Sequence, residues 1–211
     1  MKTRLVRYLF ALAALLVAGC DGGTAADSRS GAVAAGVIDE TGQYPSDISP
    51  PPGTEYPCAL TPLPVGLPGI PTADREYINR TYARILRATQ AKLVLLKAMS
   101  DRQGVAAATG EYHASAATLL DRLRSDHPPA GLEEFHRDVI AAIELQDRFF
   151  QKTVPMREGG ASMEEVFTVS EGRAASGKLM SAWGAMRSRY SGWPPETKDS
   201  IYHHLCALDF F

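Results

Sequence analysis

The chain predicts an all-α fold, an up-and-down four-helix bundle with a short fifth C-terminal helix, preceded by a disordered tether. Two observations carry this. From residue 72 onward apolar residues recur at steps of three and four, the spacing that lines one face of a helix. Gly and Pro clusters cut the stretch into segments of helical length, while no alternating apolar and polar run is long enough for a sheet. About 150 residues suffice for one core, and short connections between successive helices favour antiparallel neighbours.

The first helix is expected over about residues 72–103. Thr72 suits its N-cap, and Asp74 and Glu76 sit in the first turn, where the helix dipole favours acids. Ile78, Tyr82, Ile85, Thr89, Leu93, Leu96 and Met99 mark its inward face, and Gly104 suits its stop. The second, about 105–125, turns Val105, Ala108, Tyr112, Leu119 and Leu123 inward, with Gly110 a weak point and Pro128 and Pro129 beyond its end. The third, about 130–154, buries Leu132, Phe135, Val139, Ile143 and Phe150 before Pro155 and the Gly159–Gly160 pair break it. The fourth opens on Ser162, set at capping-box spacing from Glu165, and carries Val166, Val169, Ser176, Met180, Trp183, Met186 and Tyr190 at helical intervals. Pro194 and Pro195 open the fifth, in which Ile201, Leu205 and Leu208 face one way with Cys206 beside them.

Ahead of the helices, residues 21–57 are rich in Gly, Ala, Ser, Asp and Pro, with Pro50, Pro51 and Pro52 in a row and no sustained apolar period. They read as a tether, reaching on the order of 30 to 40 Å as a flexible chain. Residues 58–71 hold Pro62, Pro64, Gly66, Pro68 and Gly69 and read as an ordered arm of the domain spanning 58–211.

Lys2, Arg4 and Arg7 precede an unbroken apolar run from Tyr8 to Ala18, the layout of a secretory signal. The run is about half the ~20 residues a bilayer-spanning helix needs. It ends Val17, Ala18, Gly19, Cys20, which resembles the lipobox of bacterial lipoproteins. That resemblance implies removal of residues 1–19, diacylglycerol on the Cys20 thiol and usually acylation of the new amino group. Several acyl chains make such attachment effectively permanent. Asp21 resembles the signal that retains lipoproteins in the inner membrane of enteric-type Gram-negative bacteria. The expected address is therefore the periplasmic face of that membrane, with lipid on Cys20 as the membrane contact and an envelope protein as partner. An ordinary secretory signal with a chance cysteine is the alternative.

Cleavage takes away three of the 22 Lys and Arg and none of the 24 Asp and Glu, leaving a net charge of −5. An acidic, exported chain argues against a nucleic-acid partner. With Cys20 lipidated, Cys58 and Cys206 remain as an even pair in an oxidising compartment and are expected to be joined. Closing a loop of about 148 residues is worth on the order of 5 kcal/mol by loop entropy. Two buried thiols are the competing reading.

Signals for chemistry are sparse. Glu133 and His136 form one Glu-x-x-His step, the unit that di-iron bundles use twice. His203 and His204 are adjacent and point about 100° apart on a helix, so either could meet His113 or His136 only across the bundle. These residues are the candidates for a metal- or haem-binding alternative. There is no Cys-x-x-Cys-His, no Gly-x-Ser-x-Gly elbow and no Gly-rich strand-to-helix loop, so neither a catalytic residue nor a cofactor is assigned. Glu144 and Asp147, one turn apart, read as solvated acids. Arg80, Arg84 and Arg87 form a basic stripe suited to lipid phosphates or an acidic partner, or else a solvated face with Glu76 pairing to Arg80. Gly177, Ser181, Gly184 and Ser188 form a small-residue stripe suited to close helix packing. The leading expectation is a non-catalytic, membrane-tethered interaction module.

Overall fold

The periodicity becomes six helices in a computed structural model, which describes residues 62–209. They are α1 (Thr72–Asp101), α2 (Val105–Ser125), α3 (Glu133–Glu158), α4 (Met163–Val166), α5 (Ser170–Arg189) and α6 (Pro195–Leu208). The signal segment, Cys20, the tether and Cys58 lie outside the described residues. Consecutive long helices pack on one another, α1 on α2, α2 on α3 and α3 on α5, while α6 packs on both α1 and α5. Tyr77 meets His136 near the starts of α1 and α3, and Arg157 reaches Met99 near their ends, so these two run the same way. Asp74 at the start of α1 meets Arg189 at the end of α5, which runs back. The bundle is thus up-and-down. Ile78, Tyr82, Phe135, Ile143, Phe150, Leu179 and Leu205 lie in one continuous core.

Several expectations are corrected. Thr72 is the first helical residue; Pro71 is the N-cap and no side chain caps it. The stop is Arg102, in the left-handed conformation at φ 56°, while Gly104, at φ 65°, begins α2. Gly104 has nothing near its missing Cβ, so glycine is there for its positive φ and not for space. Pro155 does not end the third helix, which continues through it to Glu158. Only the final turn follows Pro155, and Arg157 fixes that turn by donating from Nε to Met99 O at 2.7 Å and from Nη1 to Ala161 O at 2.6 Å. Those bonds outweigh the one helical bond that proline removes.

The expected fourth helix is two helices. Ser162 and Glu165 form the capping box, but the helix they cap is α4, four residues long. Thr168 N donates to Glu165 O and Val169 N to Val166 O, three-residue closures that tighten and end the turn. The Thr168 hydroxyl also occupies Glu165 O, at 2.7 Å. Burial of Val166 and stacking of Phe167 on Phe149 hold this elbow against α3.

On α5 the buried face is Gly172, Ala175, Leu179, Ala182 and Met186, with Met180 exposed. It lies one residue, about 100°, from the expected Ser176, Met180 and Trp183 line. Small residues on this face bring α5 close to α3, and this is the most extensive helix contact in the bundle. Gly177 and Gly184 meet nothing within 4 Å, so the Gly177 to Ser188 stripe is not the packing surface. On α1 the face likewise shifts after Thr89, passing through Lys92 and Leu95 instead of Leu93 and Leu96. The arm is held by Asn79, whose side chain accepts from Leu63 N at 2.8 Å and donates to Leu63 O at 3.0 Å, seating Leu63 in the core.

Candidate functional site

Lys92 explains the shifted face of α1. Its ammonium is buried and donates to the carbonyls of Ala207, Leu208 and Asp209 at 3.1, 2.5 and 2.8 Å, the C-terminal end of α6. A cation there complements the negative helix end. Gln146 on α3 adds a donor to Leu208 O at 2.5 Å, and the Ser176 hydroxyl on α5 bonds the Asp209 carboxylate. Three long helices therefore grip the last turn of α6 through polar side chains. Burial lowers the Lys92 pKa from 10.5 to about 7, with Asp209 and Cys206 opposing.

Other buried charges also tie helices together. Asp74 accepts from Arg189 Nη2 at 2.8 Å and from the Tyr190 hydroxyl. That guanidinium lies where a Cβ on Gly131 would be, at φ +86°, so both space and conformation require glycine there. Asp138, buried on α3, accepts from Lys178 of α5 at 3.0 Å. Its pKa is lowered because hydrogen bonds from Ser181 and Lys178, with the charges of Lys178 and Arg137, outweigh burial, the largest single influence.

The candidate metal ligands are brought to separate places. Glu133 accepts from Gly131 N at 2.7 Å beside the start of α3. His136 Nδ1 lies 2.6 Å from the Tyr77 hydroxyl. Burial raises the Tyr77 pKa to about 12 and lowers that of His136, so the phenol donates to a neutral imidazole. His204 is fully buried, stacked 4.3 Å from Tyr82, while His203 lies half-buried beside Tyr202. His113 pairs with Asp147. Among the described residues no three His, Cys, Asp or Glu side chains converge to hold a metal ion. Cys206 is half-buried on α6.

The most organised polar surface lies between α2 and α3. A groove of about 330 Å³ runs over Leu120 and is lined by His113, Asp121, Arg124, Asp147 and Gln151. His113 Nδ1 sits 2.5 Å from Asp147 Oδ1, and Gln151 donates to Asp147 Oδ2 at 2.7 Å. With both oxygens engaged, the carboxylate fixes the imidazole with its proton on Nδ1 and presents Nε2 for another partner. Among the described residues no serine, threonine or cysteine lines this groove. The pair can orient and hydrogen-bond a ligand. Arg124 bonds Glu144 at 2.8 Å, so both acids expected to be solvated are in fact ties to α2. Asp147 lies 34 residues from His113 on another helix, so no local spacing in the sequence marks the pair.

The basic stripe is also arranged differently from expectation. Glu76 lies 3.6 Å from Arg75, whereas Arg80 and Arg84 both turn to Asp126. Among the described residues no helix is long and apolar enough to cross a membrane. Compared with known proteins, the chain matches no family model, no curated protein and no solved structure.

Proposed function

We propose that the chain is a lipid-anchored, non-catalytic interaction module of the bacterial cell envelope. The observation that carries this reading is the sequence Val17, Ala18, Gly19, Cys20 after the apolar run, with Lys2, Arg4 and Arg7 ahead of it. Lipid on Cys20 and a tether over residues 21–57 leave the helical body able to work on the order of 30 to 40 Å from the bilayer. Asp21 directs it to the inner membrane, facing the periplasm, and Cys58 bridges to Cys206.

The body supports a binding role. Lys92, Asp74, Asp138 and Arg157 are committed to joining helices, so contacts with a partner fall to the surface, with the His113–Asp147 groove as the organised place for them.

In-cell cross-linking of the full-length protein, followed by purification from membranes, tests the reading. The expected result is one stoichiometric envelope protein, its yield reduced by His113→Ala or Asp147→Ala at unchanged helicity. Recovery of the protein alone at every cross-linker length would contradict it.

A further inference from the structure

We infer that a second groove, between α1 and α2, is a binding site for the anionic phosphate of a phosphate ester. It encloses about 310 Å³, near the lower end of ligand pockets, and is lined by Arg84, Arg87, Arg122, Ser115, Thr118 and Leu119. Among the described residues no acidic side chain lines it.

The arginines are set for an oxyanion. Arg84 is largely buried, its side chain 13% exposed and its Nη1 on Asp126, yet among the described residues its buried Nε–H has no acceptor. The guanidinium that carries this unmet donor lines the groove, so an anion held there meets a cation with hydrogen-bonding capacity to spare. Arg80 and Arg84 divide one carboxylate between them, and among the described residues Arg122 makes no ion pair. Arg80, Arg84 and Arg122 thus outnumber the one carboxylate of Asp126 among the described residues, on a chain that is acidic overall. Guanidinium groups match phosphate oxygens in bidentate geometry, and the Ser115 hydroxyl can add a neutral donor. Ala114 and Leu119 supply an apolar wall, which suits an ester carrying a carbon body better than a bare ion.

A lipid headgroup and a soluble phosphate ester share this chemistry, and the inference holds whether or not Cys20 carries lipid. Isothermal titration of the full-length protein with glycerol 3-phosphate and with dihexanoyl-phosphatidylglycerol separates the two sources, with dihexanoyl-phosphatidylcholine as the zwitterionic comparison. Saturable one-to-one binding of either anionic probe is expected, at least tenfold weaker in Arg122→Gln and abolished in Ser115→Asp, which puts a carboxylate in the groove. Arg124→Gln, in the other groove, should leave binding unchanged. Uptake of the short-chain lipid alone identifies a headgroup site, and uptake of glycerol 3-phosphate identifies a soluble ester. No binding of either probe, or binding that survives both groove substitutions at unchanged helicity, overturns the inference.

Discussion

Substituting Lys92 by methionine separates two opposing effects in the grip on α6. Methionine keeps the length of the side chain but cannot donate to the carbonyls of Ala207, Leu208 and Asp209, and Gln146 still covers only Leu208. Each buried carbonyl left without its donor costs about 1–3 kcal/mol. Against this, a lysine whose pKa falls from 10.5 to about 7 on folding carries a penalty of roughly 1.4 kcal/mol per unit, about 4 kcal/mol at neutral pH, which methionine removes. The two nearly cancel at pH 7, so the informative quantity is the pH slope. Between about 7 and 10.5 the unfolded chain holds the Lys92 proton and the folded one has released it, so stability rises with pH in that window. From pH 7.5 to 9.5 the gain is roughly 2 kcal/mol, close to the limit for one proton. Buried tyrosines such as Tyr77, raised to about 12, act in the opposite sense at the alkaline end and cancel between wild type and variant. Urea unfolding followed by circular dichroism at both pH values measures the difference. Equal slopes in wild type and Lys92→Met would refute a desolvated ammonium at the end of α6.

Three further outcomes are expected. Ala175→Leu, which overfills the α3–α5 contact, should lower stability by about 1–3 kcal/mol in urea unfolding, whereas Gly177→Ala, with open space around it, should raise it by about 0.5–1 kcal/mol. Arg157→Lys keeps the charge but cannot reach Met99 O, Ser100 O and Ala161 O with one planar fork; a loss of about 1–3 kcal/mol in thermal unfolding is expected. The lowered pKa of Asp138 supplies stability above the ordinary aspartate range that is lost as pH falls through its folded value, and Asp138→Asn should flatten the acid limb of an unfolding profile.

The helical segments are legible because Gly and Pro residues punctuate most of the stretches between them. Residues 105–125 were expected as α2, and that range forms the helix. Capping at Ser162 was legible too, yet the elbow after Val166 was not, because it follows from Val166 and Phe167 packing on α3 and no breaker residue marks it. Burial faces failed where small or charged residues occupy the core. Leu93 and Leu96 outrank Lys92 in apolarity, and only the carbonyls at the end of α6 make position 92 an interior one. Met180 and Trp183 likewise outrank Ala175 and Ala182, although close approach to α3 selects the small pair. At the candidate sites the participating residues were visible one at a time; the His113–Asp147 pair and the Arg84–Arg122 groove bring together residues that are far apart in the chain.

The proposed place of this protein in the cell rests on Cys20. Metabolic labelling with alkynyl palmitate in a Gram-negative host, with intact mass measured on protein from the membrane fraction, tests it most directly. Labelled protein that begins at Cys20 is predicted, together with unlabelled, uncleaved protein for Cys20→Ala. Wild-type protein that carries no label, or is cut at another residue, would contradict the account.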